Sequence, residues 1–191
     1  MIGKYSEENG KELIQLARKA IESKFNVNSA KGEDEIEIPN KKEYKQARGV
    51  FVTLTSKKDG RLRGCVGFSD AVYSLGEAVV KAARLAAFED TRFKPLKEEE
   101  LNKINIEISI LTQPFLISGN VATEYEVGKD GLICECLGYR GLLLPQIAEE
   151  HNMDKIEFLE SVCEKAGLPK DYWQNSNVKF YKFRVQSFKE E

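Results

Sequence analysis

Two arginines, a cysteine and two glycines lie within the eight residues from Arg61 to Phe68. The reactive form of cysteine is the thiolate, and a neighbouring guanidinium favours that form over the thiol. Arginine also binds carboxylates and phosphates through paired N–H donors. Cys65, with Arg63 two residues before it, therefore offers either a nucleophilic or redox-active thiol or part of a site that recognises an anion.

The same segment also suits a purely structural role. A buried cysteine packs as a small hydrophobic side chain, and glycine inside a strand often marks the close approach of another backbone or of a ligand. In the structural role, Gly64 and Gly67 fit the twist of a sheet. In the functional role, they form the bare floor of a small pocket. The spacing alone leaves both interpretations open.

The elements that must position this segment are the two strands of a β-hairpin. Residues 49–56 are rich in β-branched side chains and are typical of a strand. Asp59-Gly60 follows, and this dipeptide is a strong signal for a two-residue type I′ turn. The resulting register places Cys65 opposite Leu54.

The return strand of this hairpin has two faces, because side chains alternate along a strand. Arg63 and Cys65 are predicted to share the accessible face. The other face is predicted to pack into the core and carries Leu62, Val66 and Phe68.

Asp90 and Arg92 are candidates to complete the site from a neighbouring loop. They follow a predicted amphipathic helix at residues 75–88, which begins with a capping box at Ser74. The two residues form either a functional pair at the rim of a cleft or a brace of the loop around a buried aromatic such as Phe93.

Glu107 lies in the middle of a predicted strand. The isoleucines on either side of it alternate at positions 104, 106, 108 and 110, which predicts one deeply buried face. A carboxylate at such a position is costly unless it is solvated or paired. Glu107 is therefore either a partner of Arg63 or faces water.

The remaining elements complete a mixed set of helices and strands. They are a helix capped by Ser6 that runs to about Phe25, a hairpin over residues 131–136 and 141–144, a helix capped by Asp154 with Cys163 in its apolar stripe, and a terminal strand over residues 178–188. Together they predict an α+β fold, with a mixed or antiparallel sheet of about five strands flanked by helices.

The charge balance bears on the class of partner. Lys and Arg number 29 against 31 Asp and Glu, for a formal net charge of −2. This balance argues against broad non-specific binding of nucleic acid, although lysine and arginine interleaved with aromatics at residues 179–184 fit either base stacking or a half-exposed strand. The chain has no apolar run near the roughly 20 residues that span a bilayer, so we expect a cytoplasmic protein.

Histidine and cysteine usage limits the chemistry further. Cys134-x-Cys136 is a poor match to structural zinc spacings, so no metal is predicted, and neither is a cofactor because no phosphate-binding loop pattern is present. The four cysteines are expected to be free thiols. Catalysis by a Cys–His pair would depend on His151, the one histidine of the chain.

Leu62-Arg63-Gly64-Cys65-Val66-Gly67 resembles the signature hexapeptide of the AMMECR family, which is named for a chromosomal region linked to Alport syndrome, midface hypoplasia and elliptocytosis. Other motifs similar to those of the family follow in the same order, at residues 86–93, 95–96, 106–112, 128–132, 141–146 and 165–169. The resemblance implies a single α/β domain over residues 1–191, with a larger and a smaller lobe around a cleft. It also implies a functional link to radical-SAM and Memo-like proteins, and a role in transcription, replication, repair or translation.

Two hypotheses for the function follow. The first is a binding protein for a small ligand, a peptide or part of a nucleic acid, with a site formed by Arg61, Arg63, Gly64, Cys65, Gly67, Asp90, Arg92 and Glu107. The second is an enzyme that uses Cys65 as nucleophile or redox group with support from Arg63. The scarcity of acid–base residues favours the first.

Overall fold

Two antiparallel sheets of four strands, with helices packed against them, form the protein. The computed structural model describes residues 5–25 and 36–190. The chain divides into two compact units, Met1–Leu111 with Gln186–Glu191 and Thr112–Val185. The predicted α+β class is confirmed, but the strands belong to two sheets and not to one sheet of about five. The cleft between two lobes of a single domain stays a prediction.

The first sheet has the strand order β2-β1-β3-β8 and the second has the order β4-β7-β5-β6. The strands are β1 Val50–Ser56, β2 Leu62–Phe68, β3 Ile104–Leu111, β4 Phe115–Leu116, β5 Gly131–Cys136, β6 Tyr139–Leu143, β7 Lys179–Phe183 and β8 Val185–Lys189. The α-helices are α1 Glu7–Glu22, α2 Leu75–Phe88, α3 Gln146–Glu150 and α4 Lys155–Lys165. Short 3-10 helices span Lys42–Lys45, Glu98–Lys103 and Lys170–Gln174.

The first unit packs α1 and α2 against one face of its sheet. Both helices begin where the sequence predicts, because the hydroxyls of Ser6 and Ser74 accept backbone N–H groups of the first turn. The even-numbered isoleucines of β3 are fully or nearly fully buried, which confirms the predicted core face of that strand. The opposite face of the sheet therefore holds the odd-numbered residues Asn105 and Glu107.

The terminal stretch is two strands and not one. β7 pairs with β4 and β5 in the second sheet, whereas β8 belongs to the first sheet. Arg184 lies at the break, where its backbone N–H donates to Thr112 Oγ1 at 2.9 Å and its guanidinium lies 3.1 Å from Asp130. Phe180 and Phe183 are buried. These rings are unavailable for base stacking, which favours the interpretation of this segment as a half-exposed strand.

The second unit builds its core between its sheet and α4. The β5–β6 hairpin turns at Leu137 and Gly138, which have φ angles of 49° and 87°. Asp154 caps α4 as predicted, and Cys163 is buried as predicted. In the described ranges, no helix has the length and apolar character needed to cross a bilayer.

Candidate ligand-binding site

The turn between β1 and β2 differs from the predicted two-residue turn. The Ser56 N–H donates to the Arg61 carbonyl and the Gly60 N–H donates to the Ser56 carbonyl, both at 2.8 Å. These bonds close a four-residue loop over residues 57–60. Gly60 has a φ angle of 70°, but Asp59 is not in the positive region. A type I′ turn needs positive φ at both central residues, so it cannot form here.

A β-bulge at Arg63 then changes the register of the hairpin. Leu54 pairs with Gly64, but the next residue Thr55 pairs with Leu62. Arg63 is therefore the extra residue of β2, with no partner on β1. A bulge of this kind changes the alternation of side chains along the strand. The residues before the bulge therefore lie on the opposite face from the one that a regular strand would give them.

Because of the loop and the bulge, two predictions about β2 are wrong. Cys65 lies opposite Thr53 and not opposite Leu54. Leu62 is 41% exposed, so its predicted place in the core is wrong. Val66 and Phe68 pack against the core as predicted.

The carboxylate that binds Arg63 is that of Glu100, whereas the sequence suggested Glu107. The Arg63 Nε and Nη2 donate to the two carboxylate oxygens of Glu100, at 2.8 and 3.1 Å. The side chains are only 19% and 28% exposed, and the bonds from Arg63 lower the pKa of the Glu100 carboxyl. A pair between Arg63 and Glu107 is therefore wrong, since the guanidinium is held at the 3-10 helix that precedes β3. Arg61 is 86% exposed and lies 3.4 Å from Asp59.

Asp90 and Arg92 brace the free edge of β2 at Cys65. The buried Asp90 carboxylate accepts the Cys65 N–H at 2.9 Å, and the Arg92 Nη2 donates to the Cys65 carbonyl at 3.0 Å. The pair thus satisfies the outward backbone groups of an edge strand as a neighbouring strand would. Phe93 is half-buried, with the Arg92 guanidinium 5.6 Å from the centre of its ring.

The bond between these two side chains is bidentate. Arg92 Nε and Nη2 donate to the Asp90 carboxylate oxygens at 2.9 and 2.7 Å. These bonds, together with that from the Cys65 N–H, hold the pKa of the Asp90 carboxyl well below its usual range despite its burial. The Arg92 side chain is 56% exposed, so one edge of a fixed guanidinium remains open to solvent beside Cys65.

The two glycines of the segment allow other backbones to approach. A Cβ at Gly64 would lie 2.1 Å from the Ala86 carbonyl oxygen of α2, and a Cβ at Gly67 would lie 2.2 Å from the Val50 carbonyl oxygen. The predicted pocket floor of bare backbone is therefore wrong at Gly64, where the end of α2 fills the space. At Gly67 the ring of Phe51 lies in the way as well.

Cys65, Thr53 and Glu107 form one row across β2, β1 and β3. Thr53 is the direct partner of both other residues in the strand registers. Its Oγ1 donates to Cys65 Sγ at 3.3 Å, and all three side chains are half-buried. Directly opposite residues point to the same face of an antiparallel sheet. The row therefore lies on the face opposite the core helices.

Glu107 and Asn105 carry side-chain acceptors on this face that have no hydrogen-bond partner in the described part of the chain. The Glu107 carboxylate makes no hydrogen bond or ion pair within residues 5–25 and 36–190. Asn105, two residues earlier on the same face of β3, has a side-chain oxygen that is closed to water and makes no hydrogen bond in that part of the chain. Unsatisfied buried polar atoms are rare in folded proteins and call for an explanation such as a bound ligand or water.

Sequence reasoning found Cys65 and Glu107 but not the row that joins them. Thr53, its central member, was missed because a one-residue bulge decides which residue of β1 faces Cys65. The alternation of β1 could have suggested Thr53, since its hydroxyl interrupts an otherwise apolar run.

The remaining titratable residues that the sequence suggested are His151 and the other three cysteines. His151 is exposed at the end of α3 in the second unit, whereas Cys65 belongs to the first unit. A Cys–His pair stays a prediction. All four cysteines are free; Cys65 is half-buried and the other three are buried. Within the described ranges, no group of three or more His, Cys, Asp or Glu side chains could hold a metal ion.

Comparison with known proteins identifies the family of the chain. The AMMECR1 family profile matches residues 14–188. Protein PH0010 of Pyrococcus horikoshii is 43% identical over 199 residues, which cover 100% of this chain and 94% of that protein. Protein TV1384 of Thermoplasma volcanium is 41% identical over 184 residues, which cover 95% of this chain and 89% of that protein.

A solved structure supports the same assignment. The crystal structure of the uncharacterised protein PH0010 from Pyrococcus horikoshii matches with a TM-score of 0.84 and 43% identity, over 95% of this chain and 91% of that one. The sequence profile and the fold agree over nearly the whole length, so the chain belongs to the AMMECR1 family.

Proposed function

We propose that the protein is a binding protein, and that its ligand carries a primary amine which donates hydrogen bonds to the Glu107 carboxylate. The observation that carries this proposal is that the half-buried Glu107 carboxylate has no cation or hydrogen-bond donor beside it within residues 5–25 and 36–190. A half-buried carboxylate without a cation is unfavourable, and an ammonium group supplies both the charge and the donors. The amine can belong to a small molecule or to a peptide side chain.

The position of the row supports a binding role for Cys65 and Thr53 as well. Neighbouring strands lie about 4.8 Å apart, so Glu107 and Cys65 are separated by about 9–10 Å across β1. A ligand held at Glu107 that extends over Thr53 would cover the Cys65 sulfur. The exposed edge of Arg92 lies beyond Cys65 at the margin of β2 and suits an anionic group at the far end of the ligand.

The arginines favour binding over catalysis by Cys65. Arg63 is committed to Glu100, and Arg92 is committed to Asp90 and to the Cys65 carbonyl. The Thr53 hydroxyl donates to the Cys65 sulfur at 3.3 Å, and the Arg92 guanidinium also interacts with the Cys65 side chain. Arg92 shares its charge with the Asp90 carboxylate, so it favours a Cys65 thiolate less than an unpaired cation would. The four free thiols support the cytoplasm as the setting in which the ligand is met.

The test uses Cys65 as the reporter of occupancy. Lysine, putrescine and spermidine are the probes, and their N-acetylated forms are the matched controls. An amine bound at Glu107 should slow alkylation of Cys65 by iodoacetamide and raise the melting temperature. The controls are acetylated at every amine nitrogen, so they carry no ammonium group and should do neither.

Two variants locate the effect. Glu107→Gln should lose the protection of Cys65, because it removes the charge at the site. Glu99→Gln should keep it, because Glu99 is 70% exposed on the 3-10 helix that precedes β3. Failure of every amine to protect Cys65, or equal protection in Glu107→Gln, would refute the proposal.

A further inference from the structure

Gly141 in β6 allows α4 to lie directly on the second sheet. A Cβ at Gly141 would be 2.3 Å from the Ala166 nitrogen and 2.7 Å from the Val162 carbonyl oxygen. Cys163 lies between those two residues in the last turn of α4. Cys134 is the direct partner of Gly141 in the β5–β6 register. The glycine therefore brings a turn of helix that contains one cysteine onto a strand pair that contains another.

The two thiols meet in the core of the second unit. Both side chains have no exposed surface and belong to the same hydrophobic cluster, which also includes Leu132, Phe158 and Leu159. The two thiols are close enough that each shifts the pKa of the other.

These contacts distinguish the two sulfurs. The Cys134 thiol and the Trp173 backbone N–H lower the pKa of Cys163, whereas the interaction with Cys163 and then burial raise the pKa of Cys134. Cys163 is thus the better nucleophile of the pair, and Cys134 is positioned as the thiol that reacts second.

We propose that Cys134 and Cys163 are a redox-active pair that forms a disulfide when the protein meets a peroxide. The Cys163 thiol loses its proton, the thiolate attacks one peroxide oxygen and the O–O bond breaks. The displaced hydroxide takes up that proton, so that sulfenic acid and water form. The Cys134 sulfur then attacks the Cys163 sulfur, its proton leaves with the displaced hydroxyl as a second water, and the S–S bond forms. Two thiols and one hydrogen peroxide thus yield one disulfide and two waters. Dithiothreitol reverses the change.

Cys136 is the competitor that the test must separate from Cys134. It lies two residues along β5, so its side chain points to the same face as that of Cys134, and it is also buried. Cys65 belongs to the first unit and lacks this arrangement. The disulfide should therefore be specific to one pair among the four cysteines.

The experiment treats the full chain with hydrogen peroxide, unfolds it in guanidinium chloride, blocks the remaining free thiols with N-ethylmaleimide, and maps the peptides by mass. The expected result is a linked peptide between Cys134 and Cys163, 2 Da lighter than the two free peptides together, with Cys136 blocked. Cys163→Ser should abolish the link, and Cys136→Ser should leave it unchanged. The map of the unmutated chain decides the question even if a core variant fails to fold. A link through Cys136, or sulfinic acid at single cysteines without a link, would overturn the proposal.

Discussion

The two long hairpins of the molecule place cysteine in opposite environments. The β5–β6 hairpin has a two-residue turn and an unbroken register, so Cys134 and Cys136 both face the core. The β1–β2 hairpin has a four-residue loop and a bulge, and its Cys65 lies half-buried on the face away from the core helices. One bulged residue therefore distinguishes a partly exposed thiol from thiols that are buried in the core.

The comparison also extends to the glycines opposite or beside these cysteines. Gly64 and Gly141 each lie against the backbone of a helix, α2 in the first unit and α4 in the second. In the first unit the helix end holds the strand that carries Cys65. In the second unit the helix itself carries the partner thiol. The close contact between helix and strand thus holds the strand of Cys65 in the first hairpin and brings a second thiol to the strand of Cys134 in the second.

The largest expected effect comes from filling one of these contacts. Gly64→Ala places a methyl group 2.1 Å from the Ala86 carbonyl oxygen, a rigid backbone atom. We expect the free energy of unfolding to fall by about 3 kcal/mol, as measured by urea denaturation. Gly60→Ala is the matched control, since nothing lies within 4 Å of its Cβ and only its positive φ is strained; it should cost about 1 kcal/mol. Equal costs would mean that α2 does not hold β2 in place.

The local rules of sequence interpretation succeeded at the helix starts and in β3, but they failed at the Asp59-Gly60 turn, where a four-residue loop forms. The capping boxes at Ser74 and Asp154 predict the starts of α2 and α4, and the alternating isoleucines predict the buried face of β3. The bulge at Arg63 depends instead on Glu100, 37 residues away, and on the end of α2. A contact of that range has no signature in the hairpin itself, so the register and the position of Leu62 were predicted incorrectly.

The same distinction explains the site and the terminal strand. Asp90 was found because it lies in a loop next to a predicted helix, but its role on the Cys65 backbone depends on tertiary contact. The division of the terminal stretch at Arg184 depends on Thr112 and Asp130. Sequence patterns predicted the elements that carry these residues, whereas the contacts between the elements depend on tertiary packing.

A second prediction concerns the brace on the edge of β2. Asp90→Asn removes a charged acceptor from Arg92 and weakens the bond to the Cys65 N–H, so we expect a loss of about 2 kcal/mol in the free energy of unfolding at pH 7. Because the pKa of Asp90 is lowered in the folded state, its stabilisation is fully present above the unfolded pKa of about 3.9 and is lost as pH falls below it. The difference in stability between the two proteins should therefore shrink below about pH 4.

Measurement of both proteins by urea denaturation from pH 7 down to pH 2.5 checks this expectation. Glu99→Gln, an exposed change on the same unit, should show no such convergence. A difference that stays constant down to pH 2.5 would contradict the assignment of the stabilisation to the ionised carboxylate. That outcome would also mean that Asp90 does not stabilise the backbone at Cys65 in the way that the strands on both sides of β5 stabilise the backbone at Cys134.

The smallest expected effect is that of Arg63→Met on the alkylation rate of Cys65, and it distinguishes binding from catalysis at this residue. Cys65 should react with iodoacetamide at least about 100-fold faster than the buried cysteines, because only its sulfur is partly accessible. Arg63→Met should change that rate by less than about twofold, because the guanidinium is already neutralised by Glu100. Arg61→Met, at a side chain that is 86% exposed, is the matched control. A tenfold slower reaction in Arg63→Met alone would show that Arg63 supports a thiolate, and the enzyme hypothesis would then be preferred to the binding one.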